Sequence, residues 1–428
     1  MYPNLYYILK DLFGISVPAL SFLNTFGLLV AIAFAVAAWV LSAELKRKEK
    51  EGLLNPVEEE IEVGKPAGIF ELLINGISGF LFGYKILGIF LTKPADMNPQ
   101  DFIFSSQGSW MGGIVLAAIL VYIKWHEKNK VRLKQPEKRI VRIWPHDRVG
   151  DIIVLGLVFG ILGAKLFDNL EHWDDFIAHP IQSIFSPSGL AYYGGLILAT
   201  IAILIFAKRK KIPLQHLVDA AAPALIIAYA VGRLGCQLSG DGDWGIYNSA
   251  YVSDSSGKIM LASSDSFRTH LQKDSVYYLQ AYPNLDAVPH KSIKAPGFLP
   301  DKLFAFAYPQ NVNKDGIVMP GVEDEHNRVL PSPVFPTPLY ESIISVLLFG
   351  FLWLFRKKWK KPMMMFGVYL ILNGLERFTV EQIRINDKYA IFGLPLTQAE
   401  IIAIGLMLIG LVLAFRKVKP AEQSSIAQ

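Results

Sequence analysis

The sequence is poor in cysteine: Cys236 is the single one in 428 residues, so an intrachain disulfide is excluded and the count carries no further message about redox compartment. Charge is scarce as well. Asp, Glu, Lys and Arg make up 18% of the chain against 52% hydrophobic residues, and the mean hydropathy is +0.34. Those proportions point away from a set of soluble domains and toward a polytopic membrane protein. The first apolar run lacks a basic flank and a small-residue cleavage site, so no removable signal peptide is expected. No metal-ligand spacing is found either. Glu171, His172, Asp174, Asp175 and His179 share a stretch, but in no ligand pattern, and read as a solvated acidic loop.

What the sequence does have is apolar runs. A helix needs about 20 residues to cross roughly 30 Å of hydrocarbon. Runs of about that size fall near Ser21 to Leu41, Phe70 to Leu91, Gly108 to Trp125, Asp151 to Phe167, Ala191 to Ala207, Leu217 to Leu238, Leu339 to Phe355, Met364 to Val380 and Ile401 to Phe415. The expected fold is therefore all-α, with about nine transmembrane helices. Every second connection is basic: Lys46 to Lys50, Lys128 to Arg142, Lys208 to Lys211, Arg356 to Lys361, and Arg416 to Lys419. This pattern places the N-terminus outside and the C-terminus in the cytoplasm. The net charge of +5 then faces anionic headgroups, and no nucleic-acid partner is needed to explain it. Residues 1–20, short and aromatic, read as a surface helix.

Two stretches repeat one plan. Gly76 and Gly83-Tyr84-Lys85 precede Ile103-Phe104-Ser105-Ser106-Gln107-Gly108 and Gly112-Gly113; Gly156 and Gly163-Ala164-Lys165 precede Ile184-Phe185-Ser186-Pro187-Ser188-Gly189 and Gly194-Gly195. Both copies enter from the same side, so the unit is a duplicated helical hairpin and not an inverted transporter repeat. The glycines suit close helix packing. Lys85 and Lys165 read either as snorkelling residues or as partners of an anion.

The chemistry gathers at one end of the spans. Gly232 to Gly245 places Arg233, Asp241 and Asp243 among five glycines at the end of an apolar run; Tyr193 opens the fifth run, Tyr340 and Glu341 the seventh, and Arg377, Glu381 and Arg384 close the eighth. All lie at expected outer ends, far apart in sequence. Ionisable groups in membrane segments default to function, although mutual neutralisation in a structural network is the plain alternative. Arginine forks and glycine-rich turns suit phosphate oxygens, which at this depth belong to phospholipid headgroups. The carboxylates would position the arginines or take up a proton.

These residues resemble the prolipoprotein diacylglyceryl transferases of bacteria. The carriers are Tyr193-Gly194-Gly195, Gly232-Arg233-Leu234-Gly235 through Trp244-Gly245, Pro336-Thr337-Pro338-Leu339-Tyr340-Glu341, Arg377-Phe378-Thr379-Val380-Glu381 with Arg384, and Leu396-Thr397-Gln398. The resemblance implies transfer of the diacylglyceryl group of phosphatidylglycerol to the lipobox cysteine of a prolipoprotein, the first step of lipoprotein maturation. It also implies a site at the outer face of the plasma (inner) membrane, with no metal and no cofactor. Arg233 and Arg377 would hold phosphate, Glu381 would orient Arg377, and Asp241 or Asp243 would match the signature acid. Arg384, Gly194, Gly195, Tyr340 and Lys165 would complete the substrate contacts. The chain departs from the family at Tyr193 and Phe335, where histidines are expected, at Cys236 and Ser239, where asparagines are, and at Phe26, where a tyrosine is. The general base stays open among Asp241, Asp243, Glu341 and Tyr193. A non-catalytic phospholipid-binding or lipid-translocating protein is the alternative reading. The expected division is 1–148 with the first hairpin copy, 149–245 and 334–416 as the transferase-like core, 246–333 as an extracytoplasmic insertion, and 417–428 as a cytoplasmic tail.

Overall fold

The computed structural model describes residues 1–92, 102, 105–186, 189, 191–263, 266–386, 388–391 and 393–416. The tail 417–428, and Ile103, Phe104, Pro187 and Ser188 of the repeat, lie outside the described residues. The long helices are α2 Thr25–Lys50, α3 Ile69–Thr92, α4 Trp110–Lys130, α5 Val149–Glu171, α6 Tyr192–Arg209, α7 Leu214–Ser239, α8 Thr337–Phe355, α9 Met364–Glu381 and α10 Gln398–Phe415, after a short α1, Leu5–Phe13. Seven of them (α2, α3, α5, α6, α7, α8 and α10) are long and apolar enough to cross a membrane. The protein is thus a mostly helical, multi-pass membrane protein. Helices α4 and α9 cover the other two expected runs but carry more charge, Lys124 to Lys130 in one and Glu376, Arg377 and Glu381 in the other.

Helix ends follow local chemistry. The Asn24 side chain accepts from Phe26 N at 2.8 Å and starts α2. Thr397 and Glu400 form a reciprocal capping box at the start of α10, with Thr397 N donating to Glu400 Oε2 at 2.8 Å. Part of the Leu396-Thr397-Gln398 motif is thereby explained as a helix start.

The chain divides into two compact units. One, built from 9–22 and 54–212, holds both hairpins, α3 with α4 and α5 with α6. The hairpins close on matched glycines. A Cβ on Gly83 would lie 2.2 Å from the Gly112 carbonyl oxygen, and one on Gly163 would lie 2.4 Å from that of Gly194. Gly195 likewise faces the Gly160 oxygen at 2.8 Å. The lysines repeat as well: Lys85 Nζ donates to the carbonyls of Phe102, at 3.0 Å, and Gln107, at 2.7 Å, and Lys165 Nζ donates to that of Gly189 at 3.2 Å. In each copy the ammonium holds the loop leading into the second helix.

The same unit contains a two-stranded antiparallel ribbon that no apolar alternation announces. Strand β1, Val57–Val63, pairs with β2, Glu137–Ile143, setting Glu58 opposite Arg142 and Glu62 opposite Lys138. Opposite charges directly across a ribbon favour this register. Glu59 also binds Arg148 at 2.6 Å and Lys210 at 3.1 Å, joining the ribbon to the ends of α5 and α6.

The other unit comprises 1–8, 23–53 and 213–428. Helix α7 packs on α2, α8 and α9, and α9 packs on α10. A small core of Ala222, Ile226, Leu352 and Met365 joins α7, α8 and α9. At the N-terminal end of α7, buried Asp219 accepts from Met363 N at 2.9 Å and Phe366 N at 3.0 Å, capping α9, and pairs with Lys48 of α2 at 3.7 Å. Beside it, fully buried Glu44 pairs with Arg47 and with Arg356, the latter at 3.4 Å.

Between α7 and α8, the described residues of the stretch expected as an insertion, 246–333, fold into short strands and two small helices around Tyr247, Phe267, Leu271, Tyr278, Val288, Tyr308 and Leu330, with Val334 beside them. Trp244, two residues before its entry, packs on Tyr308 at 4.9 Å, and the Tyr308 hydroxyl donates to Gln237 of α7 at 2.7 Å.

Two outcomes test this packing by thermal melting in detergent. Gly163→Ala is expected to cost about 1–3 kcal/mol, because backbone cannot move aside for the added methyl. Gly160→Ala, one turn away with nothing within 4 Å of its Cβ position, is expected to be neutral or slightly stabilising. Asp219→Ala is expected to cost about 3–5 kcal/mol by stranding Lys48 and two backbone donors, with Asp219→Asn milder.

Candidate functional site

Helix α7 sets the first arginine. Its last turns carry Tyr229 and, one turn on, Arg233, whose guanidinium lies over the Tyr229 ring at 5.3 Å. After Ser239 the chain reverses through Gly240 and Gly242 at φ of +66° and +95°, a conformation costly for residues with a Cβ. The reversal carries Asp243 back onto Arg233 Nη1.

Gly245 then lets three segments meet. Its N–H donates to the Phe335 carbonyl at 2.9 Å, Ile246 N donates to that of Ile383 at 2.8 Å, and a Cβ on Gly245 would sit 2.5 Å from the Ile383 oxygen. The turn after α7, the start of α8 and the end of α9 are thereby brought together. Thr337 Oγ1 donates to the Asp243 carbonyl at 2.8 Å, fixing the same junction from α8.

Glu341, in the first turns of α8, is the centre. Its side chain is 0% exposed, yet three guanidiniums reach it: Arg233 Nε at 2.9 Å, Arg377 Nη1 at 3.1 Å and Arg384 Nη1 at 3.3 Å. Asp243 bridges the outer pair, receiving Arg233 and, at 2.6 Å, Arg384 Nη2. Glu381 sits one turn from Arg377 and pairs with its Nη2 at 3.2 Å, while Asn386 Nδ2 donates to Glu381 at 2.5 Å. Three arginines thus face three carboxylates, each fork held in a set plane.

The two aspartates of the turn differ. Burial alone would raise the Asp243 carboxyl, but Arg233 and Arg384 outweigh it and hold it below the usual carboxylate range. Burial pushes Asp241 up instead, and the Asp243 charge adds to the effect. Asp243 is therefore the member that faces the arginines. Ligand-type atoms of Cys236, Asp241 and Asp243 lie within 4.8 Å of one another, but a cation there would compete with two guanidiniums for Asp243.

The cluster unites Arg233, Asp243, Glu341, Arg377, Glu381 and Arg384, with Asp241 beside Cys236. Tyr340 points elsewhere: its hydroxyl donates to the Leu303 carbonyl of the insertion. Tyr193, Gly194, Gly195 and Lys165 belong to the other unit. There Gly194 and Gly195 are buried in the hairpin crossing, Lys165 binds its loop, and Tyr193 is 39% exposed beside Tyr192. Phe26 packs near Gly235, whose Cβ position lies 3.4 Å from its ring.

One acidic residue escaped the sequence reading. Glu376 is 4% exposed, and both its carboxylate oxygens are buried without a hydrogen-bond partner. The available signal was a carboxylate next to Arg377 inside an apolar helix.

A model of the prolipoprotein diacylglyceryl transferase family matches residues 102–416. The chain is 26% identical over 263 residues to a phosphatidylglycerol–prolipoprotein diacylglyceryl transferase of Leptospira interrogans (serovar copenhageni), covering 55% of this chain and 61% of that protein. It is 27% identical over 313 residues to the enzyme of the same name from Streptococcus pneumoniae (strain Hungary19A-6), covering 72% of this chain and 88% of that protein. The match therefore spans less than two thirds of the Leptospira protein and most of the Streptococcus one. Because the family match takes in well over half of the chain and every residue of the arginine cluster, the chain belongs to the prolipoprotein diacylglyceryl transferase family.

Proposed function

We propose that this protein transfers the diacylglyceryl group of phosphatidylglycerol to the lipobox cysteine thiol of a prolipoprotein, releasing glycerol phosphate. The observation that carries the reading is the convergence of Arg233, Arg377 and Arg384 on one buried carboxylate, Glu341. Guanidinium forks already fixed in place need no reorganisation when a phosphate oxygen gains charge, and that is where the leaving group develops it. Arg233 and Arg377 take the phosphate in this reading. Glu341, Asp243 and Glu381 hold the forks, and Arg384 steadies the outer edge. In the hairpin unit, Gly194 and Gly195 act by letting the helices of the second hairpin meet, and Lys165 acts by holding its loop.

The proposed setting is the bacterial plasma membrane. Nine helices, α2 to α10, span it with the N-terminus outside, the C-terminal tail in the cytoplasm, and the arginine cluster and the 246–333 insertion on the extracytoplasmic side. Support comes from the alternation of basic connections along the sequence.

Full-length protein reconstituted with phosphatidylglycerol and a lipobox peptide is expected to yield the thioether product by mass spectrometry. Arg233→Ala is expected to lower the rate about 10²–10³-fold, and Arg233→Lys to restore little, because an ammonium cannot replace a fork. Phosphatidylglycerol binding without any thioether would favour a non-catalytic lipid-binding protein instead. For topology, a cysteine at exposed Ser255 is expected to react with an impermeant maleimide in intact cells, and one at exposed Lys134 only after permeabilisation. The opposite pattern would reverse the orientation.

A further inference from the structure

The transfer must dispose of a proton. Sulfur bonds to C3 of the glyceryl group, the C3–O bond to phosphate breaks with its electron pair staying on the phosphate oxygen, and the thiol proton needs an acceptor. We infer that Glu376 is that acceptor, an inference that rests on the transfer reaction proposed above.

The carboxylates nearest the arginines are committed. Glu341 meets three guanidiniums, Asp243 meets two, and Glu381 meets Arg377 and Asn386. A carboxylate whose oxygens are engaged by cationic N–H groups is a weak base. Asp241, one oxygen of which is also buried without a hydrogen-bond partner, sits on the turn with its carboxylate close to Cys236 and Asp243. Glu376 differs in that neither of its oxygens has a partner. It is buried to 4% exposure and its two oxygens accept no hydrogen bond, yet it stands within electrostatic reach of Glu341, Arg377, Arg233 and Arg384. A buried carboxyl group left without a donor carries an unrecovered desolvation cost. A ligand that brings an S–H to it removes that cost.

Position agrees with the chemistry. Glu376 precedes Arg377 on α9, and Tyr229 stands one turn before Arg233 on α7. In helix order both therefore lie further from the Arg384 end than Arg377 and Arg233 do. Displacement at C3 requires the sulfur to approach opposite the departing oxygen. With the phosphate oxygen on the forks, the thiol comes from the deeper side, where Glu376 is. The proton passes to a Glu376 oxygen as the new anion settles on Arg233 and Arg377.

The test compares wild type, Glu376→Gln and Glu376→Asp in the reconstituted assay, with a cysteine lipobox peptide and its selenocysteine counterpart, whose selenol ionises at neutral pH without help. Glu376→Gln is expected to slow transfer to the cysteine peptide about 10²–10⁴-fold. Its phosphatidylglycerol binding and melting temperature should stay near wild type, and the selenocysteine peptide should recover most of the loss. Glu376→Asp should retain an intermediate rate. The inference is overturned if Glu376→Gln transfers to the cysteine peptide as wild type does, or if both peptides lose equally, which would mark a structural role. A wild-type protein that forms no thioether with either peptide overturns the transfer reading and this inference together.

Discussion

A carboxylate taken wholly out of water has to be surrounded by cations or it destabilises the fold by several kcal/mol. Glu341 is such a group, and much of this unit is arranged around it. Three arginines answer it from three places: the end of α7, the last turns of α9, and the residue three positions beyond α9. Each brings its own requirement for a counter-charge, met by Asp243 and Glu381. Asp243 reaches its place only because the chain reverses after α7, and the reversal is tied to α8 and α9 through the backbone of Gly245 and Ile246. One buried charge therefore fixes the relative placement of three helix ends, and arginine forks that are fixed in advance are what a phosphate-handling site requires.

The charged groups of this unit concentrate at helix ends. Opposite the arginine cluster, Asp219, Lys48, Glu44 and Arg356 join the other ends of α2, α7, α8 and α9, with the apolar contact of Ala222, Ile226, Leu352 and Met365 alongside. In lipid, apolar burial gives helices little reason to associate, so small residues and polar contacts carry more of the specificity. The hairpin unit illustrates the first means, through glycines that let backbones touch, and the helix ends of the other unit illustrate the second.

Much of this was legible in the sequence for one reason: a charge inside an apolar run is conspicuous. Arg233, Glu341, Arg377 and Glu381 stand out without coordinates, and so does the hairpin repeat. Pairing was not legible, since Arg233 and Glu341 lie more than a hundred residues apart and no local rule joins them. The choice between Asp241 and Asp243 depends on the left-handed turns at Gly240 and Gly242, which direct only the second carboxylate at the guanidiniums. Tyr340 entered as a substrate contact through the family resemblance; successive helix positions point about 100° apart, and in the structure its hydroxyl donates to the Leu303 carbonyl while its neighbour Glu341 meets the arginines. The β1–β2 ribbon was hidden because its acidic and basic halves fall in different connections, and only the basic residues entered the topology argument.

The way the insertion joins the helices has a consequence for how such a protein can vary. Its strands of entry and exit lie side by side: Gly245 N donates to the Phe335 carbonyl at 2.9 Å, Phe335 N to that of Ile246 at 3.0 Å, and Tyr247 bridges to Val334. To the membrane helices, everything between those bonds is a closed loop whose two ends are already together. Lengthening a loop with fixed ends changes its closure entropy only logarithmically. Chains built this way can therefore gain, lose or exchange an entire module at this point while Asp243, Glu341 and Arg384 keep their registration.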